Sequence, residues 1–116
     1  MNGPSYVPER GDLVWISFSP QAGHEQAGRR PGLVISPGAY NGKVGLAILC
    51  PLTGQEKGYP FEVRLPAGLP LSGVVLSDQV KSLDWRARRA EWAARVPDGV
   101  VQEVLQKLAT LVDRTR

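Results

Sequence analysis

Glycine and proline set the first limit on this chain. Thirteen glycines and ten prolines are spread through its 116 residues, so apolar runs are cut to strand length. Both residues disfavour helix interiors, and such punctuation fits short strands joined by turns. "GDLVWISF" (residues 11–18) reads as a strand behind a Gly-Asp turn, rich in β-branched and aromatic residues. Its alternation puts Leu13 and Trp15 on one face and Val14, Ile16 and Phe18 on the other, both expected to be covered. A polar loop (19–29) then leads to a strand at 30–36. "PGAYNG" (37–42) is turn chemistry, and further strands are expected at 44–52, 61–65, 74–77, 80–83 and 89–96.

The last segment changes period. Val101, Val104, Leu105, Leu108, Leu111 and Val112 follow helical spacing, with Pro97 and Asp98 at the start. The expectation is one mainly β (α+β) domain over residues 1–116. Six or seven short strands form a small barrel or strongly bent sheet, with a C-terminal helix as core or dimer surface. A composition of 42% apolar and 22% charged residues suits a globular core. The longest nearly apolar run, 44–52, is far too short to span a membrane.

The available chemistry is narrow. His24 and Cys50 are the only histidine and cysteine, which leaves too few ligands for a zinc cluster and excludes a two-histidine nuclease. Cys50 lies in an apolar strand and reads as core; His24 reads as a loop surface residue. No metal and no cofactor is expected. A lone cysteine allows no intramolecular disulfide, and "MNGPSYVPERG" has no secretory pattern, so the reading is cytoplasmic. The net charge of +3 is compatible with an anionic partner without specifying one.

"GHEQAGRR" (23–30) has the outline of a phosphate-cradling loop. That motif needs Lys and Ser/Thr after its second glycine and must open a helix. Here Arg29 and Arg30 follow, and Pro31 leads into the strand-like "GLVIS", so nucleotide-triphosphate binding is rejected. What remains is Glu25 beside two arginines in a long loop. They either make exposed ion pairs or form an anion site, since arginine's planar fork suits phosphate.

"GDLVWISFSP", "GHEQAGRRPGLVISP", "KGYPFEV" and "VLSDQVKSLDWRAR" resemble, in order and spacing, the MazF/PemK family of toxin endoribonucleases from toxin–antitoxin modules, and the MazF branch most. The resemblance runs over residues 6–96. It implies an SH3-like/CcdB-like barrel, a homodimer and sequence-selective, metal-independent cleavage of single-stranded RNA. It also implies a MazE-like antitoxin partner whose acidic, disordered tail occupies the basic groove. By the same resemblance Arg30 carries catalysis, Thr53 opens the next catalytic loop, Glu25 is the acidic loop residue and Gln79 helps recognise RNA. Gly54 stands where relatives often carry a second hydroxyl.

The implied reaction is attack of the 2′-OH on the adjacent phosphate, leaving a 2′,3′-cyclic phosphate and a 5′-OH. A guanidinium is a poor proton shuttle at neutral pH, so Arg30 is read as stabilising the phosphorane, Thr53 as positioning a non-bridging oxygen, and Glu25 as a helper base or an orienting group. Phe18, Arg29, Lys57, Gln79 and Lys81 are the candidate RNA contacts. Phe18 equally suits the core, and Lys57 and Lys81 equally suit plain surface charge. "WRARRAEWAAR" (85–95) reads as scaffold, with Trp85 and Trp92 packed and arginines over their edges. The alternative function is a non-enzymatic CcdB-like gyrase poison. That class depends on an apolar aromatic C-terminal tip, whereas this sequence ends "VDRTR".

Overall fold

The computed structural model describes residues 6–18 and 28–114. Its elements are β1 (Asp12–Ser17), β2 (Arg29–Val34), α1 (Gly38–Val44), β3 (Leu46–Thr53), β4 (Glu62–Arg64), β5 (Val74–Leu76), β6 (Lys81–Asp84), β7 (Glu91–Arg95) and α2 (Asp98–Val112). All the ladders are antiparallel, and the sheet order is β4-β5-β3-β2-β1-β7, with β6 also paired to β3. The expected barrel-like β fold with a C-terminal helix is what forms.

β3 is the spine. Its first half (Leu46 to Leu49) pairs with β6, and its end (Leu52, Thr53) pairs with β5. The strand therefore passes from one ladder to the next, and the sheet bends around a core on its inner face. That core holds Leu13, Leu33, Cys50, Leu52, Val63, Val75 and Ala94, with Val100, Val101 and Val104 of α2 packed into it. The Lys107 ammonium donates to the carbonyls of Pro60 (2.7 Å) and Glu62 (3.0 Å), tying α2 across to β4. The outer face carries a second cluster, Val14, Ile16, Val34, Ala47, Leu49, Leu83 and Trp85.

Two expectations need correction. The 37–42 stretch is a helix start, because Pro37 sits at the N-cap and Gly45 ends the helix at φ 84°, a left-handed cap that suits glycine. Asn41 holds α1 in place. Fully buried, it donates to the carbonyls of Pro8 (2.7 Å) and Ser36 (3.0 Å) and accepts from the Ser36 hydroxyl (2.5 Å). Trp15 is 37% exposed, so one face of β1 is only partly covered. Of the α2 stripe expected as core or dimer surface, Val101 and Val104 are core, while Leu105, Leu111 and Val112 are exposed on the single chain. The scaffold reading of 85–95 holds at Trp85, whose indole N–H donates to the Asn41 carbonyl (2.9 Å) while Arg86 lies over its ring.

Candidate active site

The two arginines of "GRRPG" are neighbours in sequence but not in space. Ser17 faces Arg29 and Ile16 faces Arg30 across the β1–β2 ladder. Side chains alternate along a strand, so the two guanidinium groups leave opposite faces. The Arg29 side chain is 11% exposed and pairs with the Glu91 carboxylate at 2.7 Å. It also donates to the carbonyls of Arg89 (2.6 Å) and Arg88 (3.3 Å). Arg30 is exposed on the outer face, and no group among the described residues holds its guanidinium. Arg29, a candidate RNA contact on the sequence, has its guanidinium engaged within the protein in this geometry.

Thr53 meets the same end of the sheet from β3. The β2–β3 ladder pairs Val34 with Leu49, Leu33 with Cys50 and Gly32 with Pro51. By alternation from the Gly32–Pro51 pair, Arg30 and Thr53 fall on that same face, beyond the last paired residues of the ladder. Pro31 has no N–H to donate, which fits the end of the ladder there. Gly32 lets ring and backbone approach closely here: a methyl on it would sit 3.0 Å from Phe18 Cζ and 3.3 Å from the Cys50 carbonyl. Phe18 thus lies half-buried over Gly32 against the outer cluster, with its N–H bonded to the Gly28 carbonyl at 2.9 Å.

Gly73 fixes Thr53 from the other side. With φ at 127°, it lies so close that any side chain would collide with the Thr53 carbonyl. The Thr53 hydroxyl accepts the Gln55 N–H at 3.2 Å, and Gly54 beside it faces open space.

From Thr53 a cavity of about 440 Å³ opens between Gln55, Lys57, Gly58, Tyr59, Glu62, Leu76 and Gln79. The Glu62 carboxylate shapes its wall by accepting the consecutive N–H groups of Lys57 (3.0 Å), Gly58 (3.0 Å) and Tyr59 (3.1 Å). The Tyr59 ring is 45% exposed and tilted on Phe61 at 5.8 Å between centroids. Its hydroxyl donates to Asp78 at 2.5 Å, and this bond raises the phenol above its ordinary pKa.

The cavity therefore brings together Thr53, Lys57 and Gln79. Arg30 and Phe18 stand outside it, and exposed Lys81 lies farther along the outer face, opposite Leu49. Arg29 is turned away. Glu25 and His24 lie outside the described residues. Sequence reasoning missed Tyr59, Gln55 and Glu62. An aromatic between Gly58 and Pro60 in a polar loop was the available signal, since such a ring has no core to join.

Cys50 is fully buried, and burial, with the Asp78 charge adding to it, pushes its thiol up to about 12. Such a thiol is no nucleophile near neutral pH. Among the described residues, no group of three or more His, Cys, Asp or Glu side chains converges as metal ligands. No helix among them is long and apolar enough to cross a membrane.

A family model described as PemK-like, MazF-like toxin of type II toxin–antitoxin systems matches residues 9–112. The chain is 49% identical over 107 residues to the endoribonuclease toxin MazF of Escherichia coli K12, covering 92% of this chain and 96% of the relative. A crystal structure of MazF from Deinococcus radiodurans superposes with a TM-score of 0.86 at 60% identity, covering 94% of this chain and 99% of that one. MazF in a MazE–MazF crystal structure from the same organism gives a TM-score of 0.83 at 55% identity, over 93% and 97% of the two chains.

Proposed function

The chain belongs to the PemK-like, MazF-like toxin family of type II toxin–antitoxin systems, and on that premise we propose that this endoribonuclease toxin cuts single-stranded RNA by sequence-selective, metal-independent use of the substrate's own 2′-OH. The observation that supports this reading is that exposed Arg30 and Thr53 fall, by strand alternation, on the same face past the last β2–β3 pair, Gly32–Pro51, and that Thr53 also lines a cavity with an aromatic face and two glutamine amides.

The chemistry follows from what each group can do. The 2′-oxygen bonds to phosphorus as its proton passes to Glu25 or to water, and the bond to the 5′-oxygen breaks as that oxygen takes a proton from water, leaving a 2′,3′-cyclic phosphate and a 5′-OH. Negative charge grows on the non-bridging oxygens in the transition state. Arg30, permanently charged and unengaged by the described residues, is the group to meet it; a donor aimed at developing charge contributes about 10² to 10³-fold. Thr53 orients one of those oxygens with its hydroxyl proton, since its oxygen already accepts Gln55. Glu25 acts as helper base, taking the 2′-OH proton, or as the group that orients Arg30.

Bases of the strand sit in the cavity, where Tyr59 offers a stacking face and Gln55 and Gln79 offer amides that both donate and accept. Lys57, Lys81 and Phe18 extend the contact surface along the strand. Metal independence draws support from a sequence with one histidine and a single, buried cysteine. The protein acts as a single-domain homodimer in the cytoplasm and is held by a MazE-like antitoxin with an acidic, disordered tail; the MazE–MazF assembly of the similar Deinococcus protein supports the partner. The gyrase-poison alternative finds no counterpart in the named relatives. The test is incubation with a long single-stranded RNA in EDTA beside the Arg30→Ala variant. Discrete cuts by the wild type alone are expected, and intact RNA in both would remove the reading.

A further inference from the structure

We infer that Arg29, with Glu91 and Arg88, is a positioning device that holds the Arg30 and Phe18 ends of β2 and β1 for the reaction, and does not bind RNA; this rests on the endoribonuclease reading above.

The device is reciprocal. From β2, Arg29 reaches across β1 to the Glu91 carboxylate and the Arg88 and Arg89 carbonyls. In the opposite direction, Arg88 donates to the carbonyls of Ser17 (3.0 Å) and Phe18 (2.9 Å) at the end of β1. The Ser17 N–H returns a bond to the Arg88 carbonyl at 3.2 Å. Both strand ends are thereby tied to the turn that joins β6 to β7.

That turn is itself rigid. Arg88, Arg89 and Ala90 bond back to Asp84, Arg86 and Trp85, and the Asp84 carboxylate accepts the Ala87 N–H. Arg89 holds a φ of 55°, a left-handed conformation rare outside glycine. Trp85, 5% exposed, anchors the turn in the outer cluster.

The need for such a clamp comes from the ladders. The β2–β3 pairing reaches only Gly32, so Arg29 and Arg30 project beyond it. Among the described elements they are held by β1, by this turn and by Glu91 at the start of β7. Alternation then divides the work: Arg29 grips one face so that Arg30 is presented on the other. The Arg29–Glu91 bond as such adds little stability, because Glu91 is 61% exposed. What it fixes is direction, and small misplacements of a catalytic group are costly to rate.

The two roles for Arg29 predict opposite behaviour in Glu91→Gln. A positioning role predicts that Glu91→Gln and Arg29→Lys each lower single-turnover kcat by about tenfold, with KM and the salt slope of RNA binding unchanged. It also predicts that Glu91→Gln adds nothing in an Arg29→Ala background. If Arg29 were an RNA ligand, Glu91→Gln would free its charge and tighten RNA binding, while Arg29→Ala would raise KM and flatten the salt slope by about 0.7; that pattern overturns the inference, as would wild-type rates in both single variants. Thermal melts of Glu91→Gln, altered at an exposed carboxylate, separate lost folding from lost positioning. A wild type that leaves RNA intact would instead refute the underlying endoribonuclease reading.

Discussion

Arg29 and Arg30 are consecutive in β2, yet one guanidinium is engaged by Glu91 and two backbone carbonyls while the other is exposed on the opposite face. On the proposed mechanism the pair separates structure from chemistry within a single dipeptide. A buried charge has to be paired to be tolerated, and Arg29 is. An unengaged guanidinium on the face that Thr53 shares is the group the proposed mechanism assigns to the developing phosphorane.

Removing that unengaged charge should therefore cost rate and spare the fold. Arg30→Ala is expected to lower kcat by about 10² to 10³-fold with an unchanged melting temperature. Arg30→Lys should recover only part of the loss, because an ammonium lacks the planar fork. Single-turnover kinetics beside a thermal melt read both quantities. A melting temperature that falls along with the rate would mean that Arg30 is structural.

Tyr59 gives a sharper test of the cavity. Tyr59→Leu removes the aromatic face and should weaken binding to a single-stranded oligonucleotide about tenfold, within the range for loss of one base–aromatic stack. Tyr59→Phe keeps the face and loses only the bond to Asp78, so its affinity should stay within about threefold. Fluorescence anisotropy at fixed salt measures the difference. Equal affinities for the two variants would remove the stacking role.

Cys50 makes a prediction in pH. Its thiol is raised from 9.0 to about 12, mainly by burial, so the folded state holds this proton more tightly than the unfolded chain. The stability it contributes is full below pH 9 and is lost as pH rises through about 12. Tyr6 and Tyr59 are raised too and act in the same direction. Urea midpoints should fall steadily above pH 9. At pH 8 native Cys50 should react with iodoacetamide about a thousandfold more slowly than the unfolded chain, and equal rates would contradict its burial.

Asn41 tests why α1 forms. Asn41→Ala leaves the Pro8 and Ser36 carbonyls without their amide donor and the Ser36 hydroxyl without its acceptor. A loss of about 2–4 kcal/mol in urea denaturation is expected, with the rate at saturating RNA preserved. A neutral effect would show that water replaces the amide.

The legible and illegible parts of the molecule divide along physical lines. Strands were readable because "GDLVWISF" sets β-branched and aromatic residues behind a turn and "FEVRL" alternates apolar and polar residues, and the start of α2 because its valines follow helical spacing. α1 was not readable. Pro, Gly and Asn favour turns locally, and only the buried partners of Asn41 make a helix of them. Thr53 and Gln79 could be named from motif resemblance and Lys57 from its charge, but their convergence depends on the turn from β3 into the 54–60 loop. The fate of Arg29 was hidden for a different reason. Adjacent charges look alike in a sequence until a strand register assigns each to a face, and Glu91, which decides the outcome, lies sixty-two residues away.

The most direct test of the central claim uses two oligoribonucleotides that differ only by a 2′-deoxy substitution at the mapped cut site, each incubated with the protein in EDTA. The account predicts cleavage of the all-ribose strand to a 2′,3′-cyclic phosphate and a 5′-OH, and no cleavage of the deoxy-substituted strand at that position. Cleavage of both strands, or product ends carrying a 5′-phosphate, would contradict it.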